Sequence, residues 1–153
     1  MAFRVGIGYD SHRLVEGERL LLGGIEIEHD RGLAGHSDAD VLTHAVIDAL
    51  LGACGLGDLG ELFPDTEEQW RDASSIDLLR IVIGRMSGAV ANVDVTVICE
   101  EPKLAPYKGE ISALLTNVLS APVSVKASTN EGMGAIGRGE GIACMAVALI
   151  DTQ

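Results

Sequence analysis

The sequence predicts a single domain of the α/β or α+β class, in which strands and helices alternate along the chain and pack as layers. Its length of 153 residues suits one domain with a core of its own. Segments of alternating apolar residues are interleaved with segments of helical periodicity, and no repeat or low-complexity linker separates them. Hydrophobic residues make up 47% of the chain but aromatic residues only 3%, so the predicted core consists of Val, Ile, Leu and Ala.

The N-terminal segment is predicted to form a strand followed by a hairpin. Residues 4–9 have the pattern of a strand whose glycines allow close approach of another backbone or a ligand. If the extended backbone continues, Asp10 and His12 project to the same side. Two short apolar segments, 20–22 and 25–27, flank a pair of glycines, which is typical of a two-residue hairpin turn.

A strongly apolar helix is predicted over residues 37–52. Ser37 suits the N-cap position, and Asp40 three residues later resembles the second member of a capping box. Gly52 and Gly55 are the candidate stop signals. Apolar residues surround most of this helix, so most of its surface is expected to be buried.

Three polar residues interrupt that apolar surface at helical spacing. Asp40, His44 and Asp48 lie at i, i+4 and i+8 and form one narrow stripe. Titratable groups on a largely buried helix need a hydrogen-bonding partner, a metal or a ligand. The stripe is therefore the first candidate functional feature.

The rest of the chain continues the alternation of helices and strands. It predicts helices at about 75–86 and 106–119, and strands at 92–99, 123–129 and 141–150. Residues 58–72 and the glycine-rich segment 131–140 are predicted to be loops.

Net charge and cysteine usage exclude several classes of protein. The formal charge of −12 leaves no basic surface for a nucleic acid or an anionic membrane, although a small anionic substrate stays compatible if cations are concentrated locally. No apolar run approaches the roughly 20 residues of a transmembrane helix. Cys54, Cys99 and Cys144 are odd in number and lack CxxC spacing, and with the lack of a signal peptide they predict a cytoplasmic protein.

Two histidines and one carboxylate are candidates for a metal site. Asp10 and His12 lie at the end of the first strand, and His44 lies on the apolar helix. Imidazole and carboxylate ligands suit Zn²⁺, and their spacing does not exclude Mn²⁺ or Fe²⁺. Three protein ligands leave a coordination position open, which is typical of catalytic sites. The spacing equally allows Asp10 and His12 to cap a turn and His44 to be a satisfied core histidine.

Other residues are candidates for binding phosphate or a second cation. Residues 35–37 at the predicted helix start offer backbone N–H groups and the helix dipole to an anion, although a plain N-cap has the same pattern. The glycine-rich turn with Arg138 is compatible with an anion nest or a tight connection. Glu131 offers a carboxylate to a hard cation such as Mg²⁺, or is a surface glutamate. Together these residues favour an enzyme that uses metals on a small anionic molecule.

The motifs taken together resemble those of one enzyme family along nearly the whole chain. The matching segments are Arg4-Val-Gly-x-Gly-Tyr-Asp10-x-His12, His36-Ser-Asp-Ala-Asp-Val-x-x-His44-Ala-x-x-Asp48, Leu56-Gly-Asp58-Leu-Gly60-x-x-Phe63-Pro-Asp65-Thr66, Asn92-Val-Asp-x-Thr, Pro102-Lys103-Leu104, Lys126-Ala-x-Thr129-x-Glu131 and Gly137-Arg138-Gly-Glu-Gly-Ile142. They are similar to the motifs of the 2-C-methyl-D-erythritol 2,4-cyclodiphosphate synthases of the non-mevalonate isoprenoid pathway.

The resemblance implies a fold, an assembly and a reaction. The implied fold is a single α/β domain with a four-stranded mixed sheet and helices packed on one face, assembled as a homotrimer with active sites at the subunit interfaces. The implied reaction converts 4-diphosphocytidyl-2-C-methyl-D-erythritol 2-phosphate to the cyclic diphosphate and CMP, by attack of the 2-phosphate on the β-phosphate. The implied cofactors are Zn²⁺, or another divalent transition metal, and Mg²⁺ or Mn²⁺.

Residues that match the family's motifs acquire implied roles from the same resemblance. The zinc ligands are matched by Asp10, His12 and His44, and the magnesium ligand by Glu131. The groups at the reacting phosphates are matched by His36, Ser37 and Thr129. Contacts to erythritol or ribose, and the adjacent flexible loop, are matched by Asp48, Asp58, Gly60 and Asp65. Enclosure of the cytidine diphosphate is implied for Cys99, Lys103, Leu104, Ala105, Ala127, Ser128 and Thr129. In relatives a cavity on the threefold axis can hold an isoprenoid diphosphate, with Arg138 as the matching anion contact.

Departures from the family pattern, and two rival functions, limit how far the roles of the family's residues apply to this chain. Ser74, Asn130 and Met145 replace residues more usual in relatives, so their local contacts stay open. One rival is a zinc-dependent phosphohydrolase that uses metal-bound water on a phosphorylated metabolite. The other is a binding module in which the metal is structural.

Overall fold

In the computed structural model, which describes residues 2–153, seven strands and five α-helices alternate along the chain. The strands are β1 (Phe3–Glu16), β2 (Leu20–Leu22), β3 (Ile25–Ile27), β4 (Arg31–Ala34), β5 (Ala89–Ile98), β6 (Val123–Ser128) and β7 (Gly141–Asp151). The helices are α1 (Val41–Cys54), α2 (Leu59–Leu62), α3 (Ser75–Arg85), α4 (Lys108–Leu119) and α5 (Gly134–Gly137), and a 3-10 turn covers Glu68–Trp70. The predicted α/β class is confirmed.

The main sheet is mixed and has five strands, in the order β4-β1-β7-β5-β6. Only β5 and β6 pair in parallel, and the other neighbours are antiparallel. The expected sheet of four strands is therefore wrong, because β4 adds a fifth strand. Its residues 31–34 pair with the last residues of β1. A four-residue strand that contains an arginine and a glycine carries too little alternation for its sequence to reveal it.

Close backbone packing holds α1 against β1. A Cβ atom at Gly6 would lie 1.9 Å from the carbonyl oxygen of Ala49, and one at Gly8 would lie 1.9 Å from that of Ala45. Side chains alternate across a strand, so both glycines face the helix while their neighbours face away from it. The absence of two side chains thus brings the helix backbone directly onto the strand that carries Asp10 and His12.

The start of α1 differs from the prediction. The helix begins after Asp40, whose carboxylate caps it by accepting the backbone N–H of Thr43, so Ser37 is not the N-cap. Asp40 is fully buried and also accepts the N–H groups of Gly23 and Gly24 in the turn between β2 and β3. The sequence showed a good cap at Ser37, but the buried hairpin turn needs the Asp40 carboxylate and sets the helix start three residues later.

The first strand was predicted to end near residue 9, but β1 continues to Glu16 because its second half pairs with β7 and β4, so Asp10 and His12 lie within the strand and not at its end. The remaining element boundaries agree with the predictions to within a few residues. The two-glycine hairpin, the helix near 75–86 and the C-terminal strand are confirmed, and Gly55 ends α1 with a left-handed φ of 67°. The segments predicted as loops at 58–72 and 131–140 contain α2, the 3-10 turn and α5, which are each three or four residues long. Elements of one turn are too short to show a helical period.

The face of the sheet opposite α1 exposes an apolar patch on β1 and β7. Its side chains are between 42% and 68% exposed and comprise Phe3, Val5, Ile7, Tyr9, Met145 and Val147. Ile7 pairs with Val147 and Tyr9 with Met145 across the two strands, so the patch is continuous. We call these six residues the apolar sheet face. None of the helices within residues 2–153 has both the length and the apolar character needed to cross a membrane.

Candidate active site

Three polar side chains from β1 and α1 converge at one point, as the sequence predicted. The Asp10 Oδ2 atom lies 2.9 Å from His12 Nε2 and 3.1 Å from His44 Nδ1. The two histidine nitrogens are 3.2 Å apart. Their donor atoms all lie within 4.8 Å of one another, so the three residues form one group that could hold a metal ion.

The charge state of Asp10 suits a metal ligand. Burial by itself would raise the pKa of this carboxyl group, but hydrogen bonds and charge interactions with His12 and His44 outweigh it and lower the pKa to about 2. Asp10 is therefore ionised at neutral pH and offers an oxygen donor beside two imidazole nitrogens. This donor set fits a divalent transition metal such as Zn²⁺.

His44 is held by hydrogen bonds on the side away from the cluster. Its side chain is only 3% exposed, and its Nε2 atom lies 2.9 Å from Ser75 Oγ and 3.0 Å from Ser37 Oγ. The Nδ1 atom is thereby directed at Asp10 and His12. Ser75 is a site residue that the sequence reasoning missed, because nothing in the pattern around residue 75 links the start of α3 to the first turn of α1.

The cluster lies in an open cleft of about 480 Å³. The cleft is also lined by residues that the resemblance assigned to the substrate, namely His36, Asp48, Asp58, Gly60 and Asp65, together with Leu59, Pro64 and Thr66. Ser37 lines a neighbouring recess with Gly35, His36, Asp65 and Arg71. The structure thus brings the N-terminal half of the predicted site together in one chain.

The polar residues around the cleft have individual environments. His36 Nε2 lies 2.8 Å from the Phe63 carbonyl oxygen, while its buried Nδ1 atom has no partner among residues 2–153. The pKa of His36 is lowered mainly by burial and to a lesser extent by repulsion from His44, so its imidazole is neutral at pH 7. Asp48 is partly buried, which raises its pKa, and it accepts the Leu59 N–H at 2.8 Å.

The predicted anion site at a helix N-terminus is not formed at residues 35–37. These residues lie in the loop before α1, and Ser37 and Ala39 have φ values of 53° and 56°. The Asp40 carboxylate already accepts one of the free N–H groups in the first turn of α1, that of Thr43. The helix terminus is thus separate from residues 35–37, and the side-chain donor of this loop is the Ser37 hydroxyl.

A second cavity of about 200 Å³ lies at the ends of β5 and β6. It is lined by all seven residues that the resemblance assigned to the cytidine diphosphate, namely Cys99, Lys103, Leu104, Ala105, Ala127, Ser128 and Thr129. Pro102 and Lys108 complete the lining and were not singled out as site residues. The Cys99 thiol donates to the Glu101 carbonyl oxygen, and burial raises its pKa to about 11, so it is not a nucleophile at neutral pH.

Glu131 and Arg138 lie on the glycine-rich segment after β6. Glu131 is exposed and adopts a φ of 53°, in a turn that Glu100 holds by accepting the N–H groups of Asn130 and Gly132. Arg138 donates to the Glu140 carboxylate at 2.7 Å. Neither residue lines the cleft of Asp10, and that cleft shares no lining residue with the cavity of Cys99.

Comparison with known proteins now identifies the family. The model of the YgbB family matches residues 3–151. The chain belongs to the YgbB family. The resemblance seen in its motifs is confirmed, because a 2-C-methyl-D-erythritol 2,4-cyclodiphosphate synthase from Salinibacter ruber is 56% identical over 155 residues, which cover 97% of this chain and 99% of that protein.

Solved structures agree with this YgbB assignment. A 2C-methyl-D-erythritol-2,4-cyclodiphosphate synthase in its CDP-bound form is 36% identical with a TM-score of 0.88, covering 97% of this chain and 100% of that one. The bifunctional IspDF of Campylobacter jejuni is 39% identical with a TM-score of 0.92. The match covers 97% of this chain but only 42% of the longer bifunctional chain.

Proposed function

We propose that this chain converts 4-diphosphocytidyl-2-C-methyl-D-erythritol 2-phosphate to 2-C-methyl-D-erythritol 2,4-cyclodiphosphate with release of CMP, in non-mevalonate isoprenoid biosynthesis. The observation that carries the proposal is the convergence of Asp10, His12 and His44 inside a cleft lined by polar residues. Its relatives at 56% and 36% identity are named as cyclodiphosphate synthases, and one was solved with CDP bound. A cytoplasmic location stays a prediction from the cysteine pattern.

The proposed reaction needs little covalent participation from the protein. An oxygen of the 2-phosphate attacks the β-phosphorus, the bond from that phosphorus to the CMP oxygen breaks, and both reacting groups belong to one molecule. The task of the enzyme is to fold the substrate so that attack is in line and to neutralise phosphate charge. No ionised thiol is required, in agreement with the raised pKa of Cys99.

Individual side chains are proposed to orient the substrate. The hydroxyl groups of Ser37 and Thr129 offer donors to the reacting phosphates, and His36 borders them. The Asp48 carboxylate accepts a hydrogen bond from an erythritol hydroxyl. Asp58 and Gly60 border the sugar, and the loop with Asp65 closes the cleft on the solvent side. Because the attack is internal, this enclosure also keeps water out of line with the β-phosphorus.

Two ion sites are proposed. Asp10, His12 and His44 would hold Zn²⁺ or another divalent transition metal, and Glu131 would contribute to a site for Mg²⁺ or Mn²⁺ at the diphosphate. When bound, such ions supply Lewis-acid polarisation and neutralise charge on the phosphate oxygens. The fit rests on the three convergent donor atoms for the first ion and on the exposed carboxylate of Glu131 for the second.

We further propose a homotrimer in which each active site combines two subunits. The cleft of Asp10 and the cavity of Cys99 share no lining residue within one chain, whereas the substrate has to contact both. The apolar sheet face is large and continuous, as is typical of an interface between subunits. Assembly through this face is proposed to place the cleft of one subunit against the nucleotide cavity of the next. Arg138 stays a candidate anion contact near the axis.

Product analysis in water enriched in heavy oxygen tests the reaction. The cyclisation is expected to yield CMP and a cyclic diphosphate without the isotope. A zinc-dependent phosphohydrolase, the rival enzyme class, would incorporate heavy oxygen into the product phosphates, and that result would overturn the proposal. A binding module with a structural metal is distinguished by chelation, because it would lose its circular dichroism spectrum, whereas a catalytic site loses only turnover.

A further inference from the structure

We propose that Ser75 is a positioning residue that fixes the His44 ring with Nδ1 directed at the metal site, through a hydrogen-bonded chain that ends at Asp38. The inference depends on the metal site proposed above but concerns residues outside its ligand set. Ser75 is fully buried at the first position of α3 and does not line the cleft. Its hydroxyl has three polar neighbours, on Asp38, His44 and Ser37, so the direction of its one hydrogen decides which of these contacts it donates to.

The direction of the chain follows from its terminal carboxylate. Asp38 Oδ1 is in short contact with the Ser75 hydroxyl, and Asp38 Oδ2 accepts the Ser75 backbone N–H at 2.9 Å. An ionised carboxylate can only accept hydrogen bonds, so the single hydrogen of the Ser75 hydroxyl is committed to Asp38. The backbone N–H of Asp40 also points at Asp38 Oδ1, at 3.2 Å, which fixes the carboxylate in place.

This commitment determines the direction of the contact with His44. With its hydrogen given to Asp38, the Ser75 oxygen can only accept at the 2.9 Å contact with His44 Nε2. His44 Nε2 is therefore the donor, and this hydrogen bond holds the ring by its outer nitrogen, with Nδ1 directed at the cluster. Nδ1 is the atom that lies 3.1 Å from Asp10 Oδ2 and 3.2 Å from His12 Nε2. The hydrogen-bonded chain thus keeps His44 Nδ1, the nitrogen that would bind the metal, directed at Asp10 and His12.

Ser37 cannot replace Ser75 in this role. Its hydroxyl lies 3.0 Å from His44 Nε2 and 3.2 Å from Ser75 Oγ, but no carboxylate within residues 2–153 is hydrogen-bonded to it, so its hydrogen is not committed to one acceptor. Ser37 also lines the recess beside the cleft, where its hydroxyl is partly exposed. Only Ser75 combines full burial with a fixed acceptor. Partners of this kind on the outer nitrogen of a ligating histidine typically alter metal affinity by about 10- to 100-fold.

Titration of the full-length protein with Co²⁺ tests the inference, with the visible absorption band of the bound ion as the readout. Ser75→Ala is expected to weaken Co²⁺ binding by about 10- to 100-fold and to change the shape of the band, because the His44 ring is no longer fixed. Ser74→Ala is the matched control. It removes a hydroxyl one residue earlier, which accepts only the Asp77 N–H, and Co²⁺ binding is expected to stay within about twofold of the wild type.

Asp38→Asn is a second variant that keeps the shape of the side chain but can donate a hydrogen to Ser75, so weaker Co²⁺ binding is expected there too. Circular dichroism establishes whether each variant is folded. If Ser75→Ala does not fold, Co²⁺ binding by Asp38→Asn tests the role of Ser75. If the folded variants bind Co²⁺ with the wild-type affinity and spectrum, the role of Ser75 is wrong while the metal site stands. If the wild type itself binds no Co²⁺, the proposed metal site fails and the role of Ser75 fails with it.

Discussion

Asp40, His44 and Asp48 follow one another at four-residue intervals, yet each contacts a different part of the molecule. Asp40 accepts N–H groups from the turn between β2 and β3, and His44 joins the cluster with Asp10 and His12. Asp48 borders the cleft and accepts the Leu59 N–H. The common helical stripe is real, but only its second and third residues belong to the candidate site.

Replacement of His44 tests the metal site at the scale of one side chain. His44→Ala removes a ligand that is 3% exposed and is expected to lower the bound zinc and to abolish turnover, by at least roughly a hundredfold. Metal content by elemental analysis and turnover of the cytidine diphosphate substrate are the measurements. His29→Ala, at a histidine outside the cleft, should leave both unchanged. An unaltered zinc stoichiometry in His44→Ala would refute the ligand role.

Replacement of Glu131 tests the second ion. Glu131→Gln removes one exposed negative charge and is expected to raise the Mg²⁺ concentration for half-maximal rate by about tenfold or more, because an amide is a weaker ligand for a hard cation. The rate is measured as a function of Mg²⁺ at saturating substrate. Glu110→Gln, on the exposed first turn of α4, is the control. Identical Mg²⁺ curves for Glu131→Gln and the wild type would contradict the assignment.

Contacts between elements determine where the site residues lie. The glycines of β1 let α1 approach its backbone, which places His44 beside the middle of the strand, where Asp10 and His12 lie. Four residues before His44, Asp40 joins the start of α1 to the hairpin of β2 and β3. The geometry of the cluster therefore depends on two contacts that involve no ligand residue.

The Asp40 carboxylate is expected to be essential for stability. Asp40→Ala leaves the buried N–H groups of Gly23, Gly24 and Thr43 without an acceptor, and the free energy of unfolding is expected to fall by about 3–5 kcal/mol. Urea denaturation gives the value. Asp58→Ala, which removes the exposed cap of α2, should cost only about 1 kcal/mol. Similar losses in the two variants would show that burial of Asp40 is unimportant.

The contact of β1 with α1 can be tested with one added methyl group. Gly8→Ala places a Cβ atom 1.9 Å from the Ala45 carbonyl oxygen, so the helix must move, at a cost of about 3 kcal/mol or more. Gly84→Ala is the matched control, because its Cβ meets nothing within 4 Å and helical alanine is favoured by about 0.5–1 kcal/mol. Urea denaturation measures both. An equal response of the two variants would be incompatible with close packing at Gly8.

At the scale of the whole molecule, one chain carries two cavities with separate linings, the cleft of Asp10 and the cavity of Cys99. The apolar sheet face exposes six side chains on the free side of β1 and β7. Burial of such a patch releases ordered water and favours association. The proposed homotrimer would account for both observations.

A single charge on the apolar sheet face tests the assembly. Ile7→Asp is expected to dissociate the trimer, because a carboxylate would be buried without a partner, and to abolish turnover although the monomer stays folded. Sedimentation velocity measures the mass, and circular dichroism the fold. Leu56→Asp, at an exposed apolar residue after α1, should leave both mass and turnover unchanged. A trimeric Ile7→Asp variant, or a monomeric wild type, would contradict the proposed interface.

Sequence reasoning recovered most of the fold because long elements repeat their pattern. The hairpin at Gly23-Gly24 and most helices and strands of ten or more residues were located to within a few residues, whereas β1 continues well beyond its predicted end because it pairs with β7 and β4. The missed elements, β4, α2 and α5, have four residues each, less than the length over which a period can be recognised. The false start of α1 at Ser37 had a different cause, since Ser37 and Asp40 are both acceptable caps and only their contacts distinguish them.

By itself the sequence determined the class of fold, the three candidate metal ligands and the family, because strand and helix periods and motif spacing are properties of neighbouring residues. Only the tertiary structure decided which hydroxyl holds His44, which carboxylate serves the hairpin rather than the site, and that two cavities with separate linings lie in one chain. Those facts depend on contacts such as that between Ser75 and His44, which are 31 residues apart. The packing of α1 against β1, α3 and the hairpin of β2 and β3 creates these contacts, and no local pattern encodes them.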